Sequence, residues 1–127
     1  LHVIFKELPI FGGMSNYAAK AALAAAMQSP EKYYAFHNAL FAATSALTKE
    51  SVMAAVKKAG LNVVELKKEM ESPAIMTQLK SNFELAQALK IMGTPTFVIG
   101  NKAQTKFAYI PGATSLQNLQ AEIKSVQ

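Results

Sequence analysis

The sequence contains no cysteine, no arginine and no aspartate. Without cysteine, its 127 residues hold no disulfide, no thiolate nucleophile and no thiolate-ligated metal. Thiol usage therefore says nothing about redox compartment. Without arginine, the chain lacks the planar guanidinium fork that reads base edges and phosphates bidentately. Without aspartate, its negative charge rests on eight glutamates, set against thirteen lysines for a net charge of +5. Those lysines are scattered along helical patterns, so they read as the solvated faces of helices and not as a nucleic-acid track. No apolar run approaches the roughly 18 residues that a bilayer-spanning helix needs. No signal-peptide pattern is present either. The chain opens on Leu1-His2-Val3-Ile4-Phe5, already inside a strand-like run, and on that ground it is expected to be N-terminally truncated.

What is there is globular. Hydrophobic residues make up 51% and charged residues 17%, enough for one domain with a real core and no disordered bias. Leu1 to Leu8 is β-branched and aromatic and ends at Pro9 and Gly12-Gly13, which predicts a strand. Its nearly continuous apolar character predicts burial on both faces. Ser15 or Asn16 is placed to cap an alanine-rich helix running to about Gln28. So many alanines imply close packing against another element. Ser29-Pro30-Glu31 combines a capping serine, proline at the first helical position and an acid in the first turn. The helix it starts carries Tyr33, Phe36, His37, Leu40 and Phe41 as a core stripe. Thr48-Lys49-Glu50-Ser51 starts a third helix, with Val52, Met53 and Val56 inward and Gly60 as its stop. Asn62 caps a short helix through Val64, Leu66 and Met70. Ser72-Pro73 starts a longer one that carries Ile75, Leu79, Phe83, Leu85, Ala86, Leu89 and Ile91 to Gly93. Near the end, Lys106 to Ile110 predicts a strand antiparallel to the one before it, because the connection is short. Ser115 then caps a last helix with Leu116, Leu119 and Ile123 inward. There is no repeat, linker or low-complexity tract.

The organising stretch is Ile91-Met92-Gly93-Thr94-Pro95-Thr96-Phe97-Val98-Ile99-Gly100. A helix ends, the chain breaks at Gly93, and Pro95 sits directly ahead of a buried strand over Thr96–Ile99. Proline has no N–H and belongs at or before the first residue of such a strand. Thr94, preceding it, is pushed towards extended geometry. By spacing alone this is an ordinary helix-to-strand turn. A cis bond at Thr94–Pro95, with a base rate of about 5–6%, is not justified by local sequence.

Residues with chemistry are few. His2 and His37 are the only histidines, and with no ligand motif near either they do not make a metal site. His37, among Tyr33, Tyr34 and Phe41, reads as a packed or surface histidine. Glu7 reads as the solvated end of a strand or as a buried acid tuning a neighbour. Gly12-Gly13 lacks a phosphate-binding glycine pattern, and no G-x-S-x-G elbow occurs. By themselves these residues contain no catalytic machinery and call for no cofactor.

In this order of elements, the chain resembles the DsbA-like thioredoxin family of thiol–disulfide oxidoreductases. Val3-Ile4-Phe5-Lys6-Glu7-Leu8-Pro9-Ile10 resembles the strand that follows the family's active-site helix. The alanine-rich helix and Tyr33-Tyr34-Ala35-Phe36-His37-Asn38-Ala39-Leu40-Phe41 resemble its inserted helical subdomain. Gly93-Thr94-Pro95-Thr96-Phe97-Val98-Ile99-Gly100 resembles its cis-proline loop and following strand, and Gly112-Ala113 fits ahead of the last helix. The resemblance implies an α/β, thioredoxin-like fold: one domain over residues 1–127, with a helical insertion over approximately 15–90. The first βα unit and the active-site helix are missing from it. The family's Cys-x-x-Cys sits at that helix's N-terminus, upstream of Val3–Leu8, where the dipole and free N–H groups lower a thiolate's pKa. No catalytic residue therefore carries over; Thr94 and Pro95 carry over as substrate-binding residues. The implied protein is periplasmic or otherwise exported and oxidises or isomerises disulfides. Its implied partners are cysteine-containing protein substrates and a redox partner protein. The alternatives are a thiol-free peptide-binding module of thioredoxin fold and a glutathione-dependent transferase or isomerase of that fold.

In such sheets the missing strand lies between the Val3–Leu8 and Thr96–Ile99 strands, so its absence leaves bare edges and core side chains. The 127 residues alone are expected to oligomerise, rearrange the sheet or associate with the missing segment. Sedimentation velocity checks this, and a compact monomer with a native-like sheet overturns it.

Overall fold

The computed structural model describes residues 1–127, which form two compact units, Leu1–Leu85 and Ala86–Gln127. In the first, a segment without regular structure leads into α1 (Gly13–Gln28), α2 (Pro30–Phe41), α3 (Lys49–Lys58), α4 (Val63–Glu69) and most of α5 (Pro73–Ala88). In the second, α5 ends and is followed by β1 (Thr96–Gly100), β2 (Phe107–Pro111) and α6 (Leu116–Ser125).

The first unit is built around α1, which touches α2, α3 and α4. Ala19, Ala21, Ala22, Ala24 and Ala25 of α1 are all buried. Alanine buries little area itself, but its small side chain lets neighbouring helices approach closely. Those neighbours bring the bulk: Phe36 from α2, Val52 and Val56 from α3, Leu66 from α4, then Met70 and Ile75, all fully buried. Polar ties fix the spacing at one end. Gln28 Nε2 donates to the Asn62 carbonyl at 3.0 Å, and the Asn62 N–H donates back to Gln28 Oε1 at 3.1 Å. Lys32 Nζ donates to the Gly60 carbonyl at 2.7 Å.

Local chemistry sets most helix boundaries. Ser29, Thr48, Asn62 and Ser115 accept from main-chain N–H groups three residues on and cap α2, α3, α4 and α6. Thr48 and Ser51 form a reciprocal capping box. Gly60 closes α3 at φ 74, with Leu61 N–H reaching back to Val56 and Gly60 N–H to Lys57, the left-handed C-terminal motif that glycine enters without strain.

Several expectations are corrected. Leu1–Leu8 forms no strand, because the chain's only ladder joins β1 to β2; apolar and β-branched composition gives a propensity, but a strand needs a partner. Gly12, not Ser15 or Asn16, occupies the N-cap of α1, with no side-chain cap, so that both lie inside the helix. Phe41 stands at the end of α2 with 81% of its surface exposed, outside the core that Phe36 enters. Val64 of α4 and Leu116 of α6 point outward, since the first turn of each helix turns them off the packed face. α5 stops at Ala88, five residues before Gly93. There Lys90 takes the left-handed conformation at φ 55, and Ile91 N–H bonds to Ala86 and Lys90 N–H to Gln87. Phe83, Leu85 and Leu89 are exposed, not core residues.

In the second unit the hairpin is antiparallel, with Thr96 opposite Pro111 and Phe97 opposite Ile110. Phe97, Ile99, Ala108 and Ile110 are half-buried, whereas Val98, Phe107 and Tyr109 are exposed. The strand expected to be buried is thus covered on one face only, and α6 packs on both strands. Gly100 lies opposite Phe107, whose exposed ring comes within 2.9 Å of where a Cβ would sit, so a larger residue there would have to displace that ring.

Lys90 fills a position that favours glycine, at a cost of roughly 1 kcal/mol for a residue with a Cβ. Lys90→Gly is expected to raise unfolding stability by about 0.5–1 kcal/mol, less what glycine gives up in unfolded-state entropy. Urea denaturation reads the change, and a loss of stability overturns the assignment.

Candidate functional site

The Gly93–Gly100 loop and strand belong wholly to the second unit. The Thr94–Pro95 peptide bond is cis. Thr96 Oγ1 donates to the Gly93 carbonyl at 2.8 Å and closes the turn around it. The Pro95 carbonyl accepts from the Gly112 N–H at 2.8 Å, and Gly112, at φ 90, holds a conformation that suits glycine. The loop is therefore tied at both ends, while Thr94 and Pro95 themselves stay exposed.

Register decides which main-chain groups remain free. Pro95 bonds to Gly112, and Asn101 N–H to the Lys106 carbonyl at 3.2 Å. Antiparallel pairs alternate between bonded and non-bonded. Phe97–Ile110 and Ile99–Ala108 are thus the bonded pairs within the ladder. The N–H and C=O of Thr96 and Val98 consequently point to the other edge of β1, where the sheet has no strand. Thr94 carries no main-chain hydrogen bond. An exposed loop thus runs into an open strand edge, a geometry that accepts an extended peptide by main-chain pairing.

The other chemistry-bearing residues gather in the first unit. Tyr33 Oη donates to Glu7 Oε1 at 2.5 Å, and Asn82 Nδ2 donates to the Glu7 carbonyl at 2.9 Å. Burial first, then the bond to Glu7 and its negative charge, hold the Tyr33 phenol well above its ordinary pKa. Glu7 is therefore the half-buried acid that acts on a neighbour. His37 packs at 4.8 Å from both Phe5 and Phe41 and stacks with Tyr34. No group of three or more potential metal ligands forms. Asn82, the one buried polar residue, was not singled out: within a helical pattern it reads as a solvated position, and its partner lies 75 residues away.

The sequence profile of the DSBA-like thioredoxin domain matches residues 2–124. This chain belongs to that family. Its relatives of known structure agree. A thioredoxin-like oxidoreductase from Silicibacter pomeroyi DSS-3 is 33% identical with a TM-score of 0.81, over 94% of this chain and 65% of that one. A periplasmic thioredoxin-like protein from Salmonella enterica serovar Typhimurium is 31% identical with a TM-score of 0.79, over 94% and 63%. The thiol-disulfide exchange protein alpha-DsbA2 from Wolbachia pipientis is 27% identical with a TM-score of 0.82, over 98% and 64%. The chain thus spans less than two thirds of each of these three relatives. No curated protein matches it. The DsbA-like fold appears here as helices with a small two-stranded sheet. One of these relatives is named a thiol-disulfide exchange protein, and the present residues contain no cysteine.

The Tyr33 phenol gives this fold an alkaline signature. Its folded pKa is raised, so the contribution to stability is complete below the unfolded value near 10 and declines as pH rises beyond it. Stability is expected to fall above about pH 10, and Tyr33→Phe to flatten that fall relative to the parent. Denaturant titrations at several alkaline pH values measure both; identical slopes overturn the assignment.

Proposed function

We propose that the protein carrying these residues exchanges disulfides in exported, cysteine-containing proteins, and that this portion holds the substrate. The observation that supports the reading is the exposed Thr94–Pro95 loop opening onto an unpaired β1 edge, in a chain of this family. Thr94 and Pro95 are its substrate-binding residues. An extended substrate strand lies along Thr94 and pairs with its free N–H and C=O, which brings a substrate cysteine to a fixed place beside the thiols. Exchange itself needs sulfur outside these 127 residues. A thiolate attacks one sulfur of a disulfide, a new S–S bond forms as the old one breaks, and the departing sulfur leaves as thiolate. In oxidation the disulfide attacked is the protein's own; in isomerisation it is the substrate's. A redox partner protein restores the resting state.

In this reading residues 1–127 are one DsbA-like domain with its helical insertion over approximately 15–90. Periplasmic residence is part of the same proposal, supported by a relative named a periplasmic thioredoxin-like protein; no helix of the chain is long and apolar enough to cross a membrane.

The intact protein is expected to accelerate refolding of reduced or scrambled ribonuclease, whereas residues 1–127 alone give no rate above buffer. Hydrogen exchange with a cysteine-to-serine substrate peptide is expected to protect the main chain at Thr94. Protection confined elsewhere overturns the substrate role of Thr94 and Pro95. An intact protein without effect on ribonuclease refolding, yet protected at Thr94, is instead a thiol-free peptide-binding module.

A further inference from the structure

Glu7 is a half-buried carboxylate in a chain of net charge +5, yet no lysine pairs with it. The only ion pairs are Lys20–Glu71 and Lys80–Glu84. Tyr33 takes Oε1, and Oε2 has no partner in the chain. Partly desolvated charge without a counter-charge is costly, so the position fits a cation from another molecule.

The surroundings say which one. Glu7 lines an open hollow between the N-terminal segment, α1 and α2. Ala18 and Ala22 of α1 and Leu40 of α2 supply aliphatic wall, and the rings of His37 and Phe41 stand beside it. Its volume is about 270 Å³, below the roughly 300–1,000 Å³ of sites for drug-sized ligands, which suits one long side chain. The small side chains of Ala18 and Ala22 leave room for a methylene stem. Carboxylate and aromatic rings together match a guanidinium better than an ammonium, because the planar group accepts both a bidentate bond and ring stacking. We propose that this hollow receives an arginine side chain of a partner protein, its stem against α1 and its head on Glu7. These 127 residues contain no arginine, so none of them supplies the guanidinium. The hollow lies in the first unit and its assignment is independent of the Thr94–Pro95 reading.

The test is a ¹⁵N-NMR titration of the intact protein with the peptide acetyl-Leu-Arg-Leu-amide. The matched peptide carries citrulline, which keeps the shape and removes the charge. The arginine peptide is expected to shift resonances of Glu7, Ala18, Ala22 and His37 and to bind at least about fivefold tighter than the citrulline peptide, the worth of a charge-assisted bond. Glu7→Gln is expected to erase that difference. Tyr33→Phe removes the same internal hydrogen bond but keeps the carboxylate, and should preserve the difference. Equal binding of the two peptides, shifts elsewhere, or loss of discrimination in Tyr33→Phe as large as in Glu7→Gln each overturns the proposal. A lysine peptide that binds as tightly as the arginine one overturns the choice of guanidinium.

Discussion

Main-chain N–H and C=O groups must find hydrogen-bond partners, and β1 meets that demand through the chain on one edge only. Its other consequences follow in order. The Pro95 carbonyl is committed to Gly112, so alternation along the ladder leaves Thr96 and Val98 facing outward. Thr94, without a main-chain bond, continues that open row. Proline contributes by subtraction: with no N–H of its own it ends the ladder at this point, and the turn around it is closed by the Thr96 hydroxyl. The site is thus a set of unsatisfied backbone groups held by satisfied ones.

The helical unit solves a different problem, that of packing several short helices with modest bulk. An alanine-rich central helix lets the backbones come close, and Phe36, Leu66, Met70 and Ile75 fill what remains. The N-terminal segment, which has no strand partner, is joined to this unit by side chains instead. Tyr33 binds the Glu7 carboxylate and Asn82 its carbonyl, while Phe5 packs on Tyr33 and His37. One acidic residue therefore links three parts of the first unit and also faces an apolar hollow.

Much of this was legible before any coordinates. Ser29, Thr48, Asn62 and Ser115 announced their helices because capping is a matter of three or four neighbouring residues. Gly60 marked a stop for the same reason, and the family resemblance rested on Gly93-Thr94-Pro95-Thr96-Phe97. The misreadings have a common cause. Periodicity extended α5 to Gly93, but a left-handed Lys90 ended it earlier, a conformation that lysine does not signal. It also turned Phe41 and Leu116 inward, although whether an apolar residue is covered depends on what lies opposite it.

The sequence by itself determined what is encoded over a few residues: the capped helix starts at Ser29, Thr48, Asn62 and Ser115, the hairpin, the lack of thiols and the family. Only the tertiary structure decided which of those elements are completed. It left Leu1–Leu8 without a ladder, opened one edge of β1, and brought Glu7 to Tyr33 and Asn82 across 26 and 75 residues. The physical reason is range. Capping and turn formation are settled by adjacent atoms, whereas strand pairing, burial and the partner of a charge are settled by atoms that are distant in the chain and near in space.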